Sequence, residues 1–160
     1  MKSLFRKSLK TIALASLVVL SATATALAQN PRIQTSQLDA LTSKASQTVD
    51  VNIDERLIQI TIKFLGKDPE ALKVRDVISG LKGIYVKSLE FEKEGEYSVA
   101  DLESIRSQLS NSAWSKIVNI HSKKEGNVEV YLMSTPTQIS GLAVLASDVK
   151  EITVVNLIGN

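Results

Sequence analysis

The C-terminal part of the sequence, from Trp114 onward, consists of short apolar segments separated by turn residues. The first two segments are KIVNIHS and NVEVYLM, and the last two are ISGLAVLA and EITVVNLIG. Their length and their β-branched residues favour strands, although the Ala and Leu content of GLAVLA is also compatible with a helix. Consecutive strands joined by short loops pair antiparallel, so this part of the chain predicts an antiparallel or mixed sheet.

The turn between the first two of these segments sets the register of their side chains. A loop with an odd number of residues keeps the apolar residues of both strands on one face, and Lys124 to Gly126 is a suitable loop if Gly126 is left-handed. This register predicts that His121 lies across from Glu129 on the other face. A carboxylate there would favour the charged imidazole and give a weak pH sensor, but we expect an ordinary exposed pair.

The N-terminal half shows the same alternation of apolar and polar residues. The segments TVDVNI and RLIQITIKFL predict two half-buried strands joined by a two- or four-residue loop around Asp54 and Glu55. The segment IYVKSLEFEKE predicts a further strand, with a bulge between Val86 and Leu89 because its alternation shifts there.

Three other segments show helical spacing. A short helix is predicted around Leu38 and Leu41, and a longer one begins with Asp68 as its N-cap, before a proline, and ends at Gly83. The third, SVADLESIRSQL, opens with a capping-box pattern. Trp114 follows it and is expected to cover the edge of the core.

Together these elements predict a two-layer α+β domain. Its sheet is mostly antiparallel, with about six to seven strands, and two main amphipathic helices pack on one face. We expect a single domain over residues 38–160, preceded by a flexible lead-in over residues 29–37.

The first 28 residues have the three parts of a secretory signal peptide. MKSLFRKSLK is basic, a short apolar run follows, and Ala26 and Ala28 form an A-x-A site that predicts cleavage before Gln29. The alternative is a membrane anchor, but Ser21 and Thr23 interrupt the run before it reaches the roughly 20 residues needed to span a bilayer. We therefore expect an exported chain, in the periplasm, without a stable membrane anchor.

Composition excludes several kinds of chemistry. Removing four of the 19 basic residues with the signal peptide leaves 15 basic and 17 acidic residues, a net charge of −2, so nucleic-acid binding is not expected. Cys is absent, which excludes disulfides and thiol catalysis. With His121 as the one histidine, a zinc site is also not expected, and no cofactor is predicted.

The C-terminal half resembles a bacterial exported family known as domain of unknown function 4252. The resemblance lies in a Trp before a hairpin, then VEVYLM, ISGLAVLA and EITVVNLIG with its glycine at Gly159, and it covers about Leu38 to Gly159. Members of the family pair a signal peptide or a lipobox with such a domain, and this chain lacks the lipobox cysteine. The family implies no catalytic residue for any position here.

The remaining polar clusters favour a non-enzymatic protein. Four glutamates occupy alternate positions from Glu90 to Glu96. They are compatible with a Ca²⁺ site or a glycosidase pair, but we expect them to form a solvated strand edge or turn. No G-x-S-x-G motif occurs. We expect an interaction domain with a protein partner in the cell envelope. A binder of a small apolar or lipid ligand is the alternative, and a cell-wall hydrolase is less favoured.

Overall fold

The computed structural model describes residues 30–159 and contains a six-stranded sheet in which all neighbouring strands are antiparallel. The strand order is β1-β2-β6-β5-β4-β3. The strands are β1 (Gln47–Asp54), β2 (Leu81–Glu90), β3 (Trp114–Ser122), β4 (Gly126–Ser134), β5 (Ile139–Ser147) and β6 (Glu151–Gly159). The predicted α+β class with an antiparallel sheet is confirmed, and GLAVLA is a strand.

The helices comprise a 3-10 helix (Ser36–Leu41) and three α-helices, α1 (Glu55–Phe64), α2 (Pro69–Ser79) and α3 (Val99–Leu109). Helices α1 and α2 connect β1 to β2, and α3 connects β2 to β3. Among residues 30–159, no helix is both long and apolar enough to cross a membrane.

The core lies between one face of the sheet and α3 with the 3-10 helix. Leu102, Ile105 and Leu109 recur at helical spacing on α3 and are all buried, and the 3-10 helix adds Leu38 and Leu41. The sheet contributes the buried side chains of Leu89, Trp114, Tyr131, Met133, Ala143, Leu145, Ile152 and Val154. Trp114, which was expected to cover the edge of the core, is 7% exposed and belongs to the core itself.

The segment RLIQITIKFL is a helix, so the prediction that it forms a strand is wrong. Asp54 ends β1 and caps α1, because its carboxylate accepts a hydrogen bond of 2.9 Å from the Leu57 N–H. Ile58 and Ile62 are four residues apart, so the segment also has a helical apolar face. The predicted hairpin at Asp54 and Glu55 therefore does not form, and β1 pairs with β2 instead.

Two boundaries in the next region also differ from the prediction. Asp68 caps α2 as expected, but the helix ends at Ser79 and Gly80, while Gly83 lies in β2. The register of β2 is unbroken from Gly83 to Glu90, so the bulge expected between Val86 and Leu89 is absent. The alternation shifts there because β2 has apolar side chains on both faces of the sheet.

The start of the described chain is fixed to the core. Ile33 is 5% exposed, and its N–H donates to Asn156 Oδ1 over 2.9 Å. Asn156 Nδ2 donates to the Pro31 carbonyl, and the Gln34 backbone exchanges two hydrogen bonds with the Gln108 amide. The lead-in expected to be flexible over residues 29–37 is thus packed from Pro31 onward. The predicted signal peptide and its cleavage site lie outside the described residues.

Candidate functional site

Glu129 is the centre of a buried ion-pair cluster on the core side of the sheet. Strand β4 places its side chain next to α3, where it is 4% exposed. Arg106 Nε on α3 donates to it over 2.8 Å, Lys116 Nζ on β3 over 2.5 Å, and the Tyr131 hydroxyl over 2.6 Å. Both carboxylate oxygens therefore have hydrogen-bond donors, which is the condition for burying a charge at modest cost.

The cluster keeps the carboxylate ionised. Burial raises the pKa of Glu129, but hydrogen bonds from Lys116, Tyr131 and Arg106 outweigh it and lower the pKa to about 2. Burial and the hydrogen bond to Glu129 both raise the pKa of the Tyr131 hydroxyl. A carboxylate that stays charged and fully bonded at neutral pH is a poor general acid, so the cluster is better suited to holding α3 against the sheet.

The predicted pair of His121 and Glu129 does not form. In the structure His121 lies across from Asn127, and its Nδ1 contacts the Asn127 amide oxygen, while Asn119 lies across from Glu129. The three-residue loop is Lys123 to Glu125, one residue earlier than expected, and this moves the partner of each residue from Val118 to Ser122 by two positions. Gly126 does adopt a positive φ of 87°, as predicted.

A second ion-pair cluster connects the 3-10 helix to the sheet. Lys87 on β2 is 6% exposed, and its Nζ lies 2.8 Å from both Asp39 and Asp50. Burial lowers the pKa of Lys87, but the hydrogen bonds to the two aspartates outweigh it, and the pKa is raised. This amine is thus held as a cation and is a poor base.

The glutamates between Glu90 and Glu96 do not gather into a site. Glu90, Glu92 and Glu94 are exposed, and the Glu96 carboxylate accepts a hydrogen bond from the Lys93 N–H within the same turn. Within residues 30–159 no group of three or more acidic or histidine side chains is arranged to hold a metal ion.

A small cavity lies beneath the packed lead-in. It is lined by Arg32, Ile33, Asp50, Tyr85 and Asn156, and its volume is about 40 Å³. This is enough for one or two waters, whereas a drug-sized ligand occupies several hundred Å³. This cavity is too small for the ligand of the alternative function, whereas an open groove of about 750 Å³ lies between the start of α3 and the turns at Lys124 and Asp148.

The other face of the sheet is apolar on all six strands. The strand registers place these fifteen residues together, and we call this surface the apolar face: Val49, Val51, Ile53, Ile84, Val86, Val118, Ile120, Val128, Val130, Leu132, Leu142, Val144, Ala146, Val155 and Leu157. None of them is buried. Val49 is 39% and Ile120 is 52% exposed. A contiguous apolar surface of this extent is typical of a binding surface.

The acidic residues on this side of the sheet lie at one end of the apolar face. Glu90 and Glu151 lie across from each other at the ends of β2 and β6, and Ser88 and Thr153 follow as the next pair. The Ser88 and Thr153 hydroxyls are 2.7 Å apart, and Thr153 also donates to Glu151. Along the strands away from this end, the paired residues on this face are uncharged.

Sequence analysis did not identify this surface. Apolar residues at successive positions in LAVLA and TVVNLI indicated strands apolar on both faces, and such strands are usually covered on both sides. The core contains side chains from only one face of these two strands. Its members there are Ala143, Leu145, Ile152 and Val154, and the residues between them in the sequence are not part of it. The alternation was present in the sequence, but it does not show that, within residues 30–159, none of the side chains on this face is buried.

Helix α1 carries a second exposed apolar stripe. Leu57, Ile60 and Phe64 are spaced three and four residues apart and are 46%, 39% and 86% exposed. The buried residue of this helix is Ile58, so α1 has apolar residues on more than one side.

Comparison with protein-family models assigns this chain to a family. The family model described as Domain of unknown function (DUF4252) matches residues 42–160. The chain therefore belongs to this family, as the resemblance of its C-terminal half implies. No curated protein and no solved structure matches the chain.

Proposed function

We propose that this protein is an exported, non-enzymatic interaction domain of the bacterial cell envelope that docks a protein partner on its apolar face. The observation that carries the proposal is the apolar face itself. Fifteen apolar side chains lie together, none of them is buried, and a partner that covered them would remove a large apolar surface from water.

The polar clusters support a role other than catalysis. Glu129 and Lys87 are both held in their charged forms by partners that also connect helices to the sheet. Contacts of this kind support a structural role for both clusters. The hydrolase hypothesis also loses support, because the glutamates between Glu90 and Glu96, which were compatible with a glycosidase pair, do not gather into a site.

Export is supported by the sequence. The basic segment, the short apolar run and the A-x-A site at Ala26 and Ala28 are the grounds for it. Intact-mass measurement of protein recovered from cells tests this part of the proposal. A chain starting at Gln29 is the expected result, and a chain retaining Met1 would contradict it.

Site-specific photo-crosslinking in living cells tests the docking surface. A photoreactive residue replacing Val144, in the middle of the apolar face, should give a discrete crosslinked protein. The same residue replacing Val99, which is 68% exposed on α3, is the matched control and should give none. Equal behaviour of the two positions would contradict docking on the apolar face.

A lipid or another small apolar ligand on the same face is the alternative occupant. Native mass spectrometry of purified protein distinguishes it, because a bound small molecule adds a defined mass to the chain. Such a mass, lost on changing Val144 to Lys, would favour the alternative.

A further inference from the structure

We infer that the partner on the apolar face is a second copy of this chain, with two copies packing their apolar faces together like the two sheets of a sandwich. This inference rests on the proposed function, because it names the occupant of the same surface. Packing of this kind gives a two-fold symmetric dimer, in which both copies contribute the same residues to the interface.

The shape of the surface favours another sheet. The apolar face consists of Val, Ile, Leu and Ala side chains on six paired strands, and so presents shallow rows of similar height. Two twisted sheets with such faces pack about 10 Å apart, with their strands about 30° from alignment. A single helix from a different partner needs a groove, and it would cover only a few of these rows.

The size of the surface is near that of a stable interface. A spacing of about 4.8 Å between six strands and a rise of about 3.4 Å per residue give a face of roughly 600 Å² in projection. The relief of the side chains makes the accessible area larger than the projection. A standard interface buries about 800 Å² per partner, so one face against its copy reaches the range of stable dimers.

The charge distribution favours a self-complementary partner over a membrane surface. The middle of the apolar face has no charge that would select a partner of opposite sign. Glu90 and Glu151 lie at one end and would repel anionic lipid headgroups. If the two-fold axis lies in the interface and runs across the strands, the strands of one copy point opposite to those of the other. The acidic ends of the two copies then lie at opposite ends of the dimer.

The mass of the protein in solution tests the inference. The chain is expressed from its full-length sequence, and light scattering after gel filtration is measured from about 1 to about 100 µM, a range that covers typical weak and moderate dimers. We expect the mass of a dimer at the upper concentrations. Val144→Lys should give a monomer throughout, whereas Val99→Lys, the same change outside the face, should leave the dimer intact. Circular dichroism checks that both variants fold.

A labelling experiment serves if Val144→Lys does not fold. The sequence has no Cys, so Val144→Cys and Val99→Cys each introduce a single thiol. Maleimide labelling at Val144→Cys should slow by about tenfold between dilute and concentrated protein, because dimerisation covers it. Labelling at Val99→Cys should not change with concentration. A monomer at every concentration, with concentration-independent labelling at both positions, overturns the inference.

The in-cell crosslinks separate this inference from the proposed function. A product of twice the chain mass that contains only this chain supports the dimer. A monomer in solution together with a crosslink from Val144 to a different protein overturns the dimer and leaves the docking proposal intact. A monomer with no crosslink at Val144 contradicts both.

Discussion

At the residue scale, Glu129 has an environment that makes a buried charge favourable, and removing that charge should be costly. Its pKa of about 2 in the folded protein lies below the ordinary 4.5. The difference corresponds to about 3 kcal/mol of stability at neutral pH. We expect Glu129→Gln to lose about this amount in urea denaturation at pH 7, because Arg106 and Lys116 lose their common counter-charge.

The pH dependence of this contribution follows from its sign. The folded state lowers the pKa, so it binds fewer protons than the unfolded state, and the contribution is fully present above about pH 4.5 and is lost as the pH falls toward 2. The gap in stability between wild type and Glu129→Gln should therefore close between pH 5 and pH 2. Glu103→Gln, which removes the exposed partner of Arg106, is the control and should cost less than about 0.5 kcal/mol. A gap independent of pH would contradict this assignment.

At the element scale, the β3–β4 hairpin depends on the backbone of Gly126. Its φ of 87° is strained for other residues, and a Cβ there would clash with the Ser147 carbonyl oxygen on β5. We expect Gly126→Ala to destabilise the protein by more than about 2 kcal/mol in thermal or urea unfolding. Gly95, with a φ of 81° and nothing within 4 Å of its Cβ position, is the matched control. Gly95→Ala should cost only about 1 kcal/mol, and equal losses would contradict the close approach to β5.

At the scale of the whole molecule, Asn156 joins the N-terminal segment to the middle of the sheet. Its side chain is 1% exposed and bonds Ile33, Pro31 and the Leu142 carbonyl. Asn156→Ala should cost about 1–3 kcal/mol, because it leaves buried backbone groups without partners. Hydrogen exchange at the Ile33 amide should become faster than in wild type, whereas Asn119→Ala, an exposed change on β3, should leave that exchange unchanged.

Local rules were sufficient for much of the fold and insufficient for the site. The caps at Asp68 and Ser98, the left-handed Gly126 and the four C-terminal strands depend on neighbouring residues, and the structure has them where the sequence predicts them. The helix α1 was missed because its apolar residues satisfy both the period of a strand and that of a helix. The Glu129 cluster was missed because Arg106 lies 23 residues away in the sequence, and only the packing of α3 brings them together.

The sequence by itself determined the α+β class, the antiparallel pairing of the C-terminal strands, the absence of cysteine chemistry and the signal-like first 28 residues. These depend on composition, on short turns and on side-chain periods, which act over a few residues. The tertiary structure decided which ionisable groups meet. It also decided that the core forms on one face of the sheet, while the side chains of the apolar face keep contact with solvent. The reason is physical: alternation specifies that a side chain points up or down from a strand, but only the arrangement of the distant helices determines what lies above it.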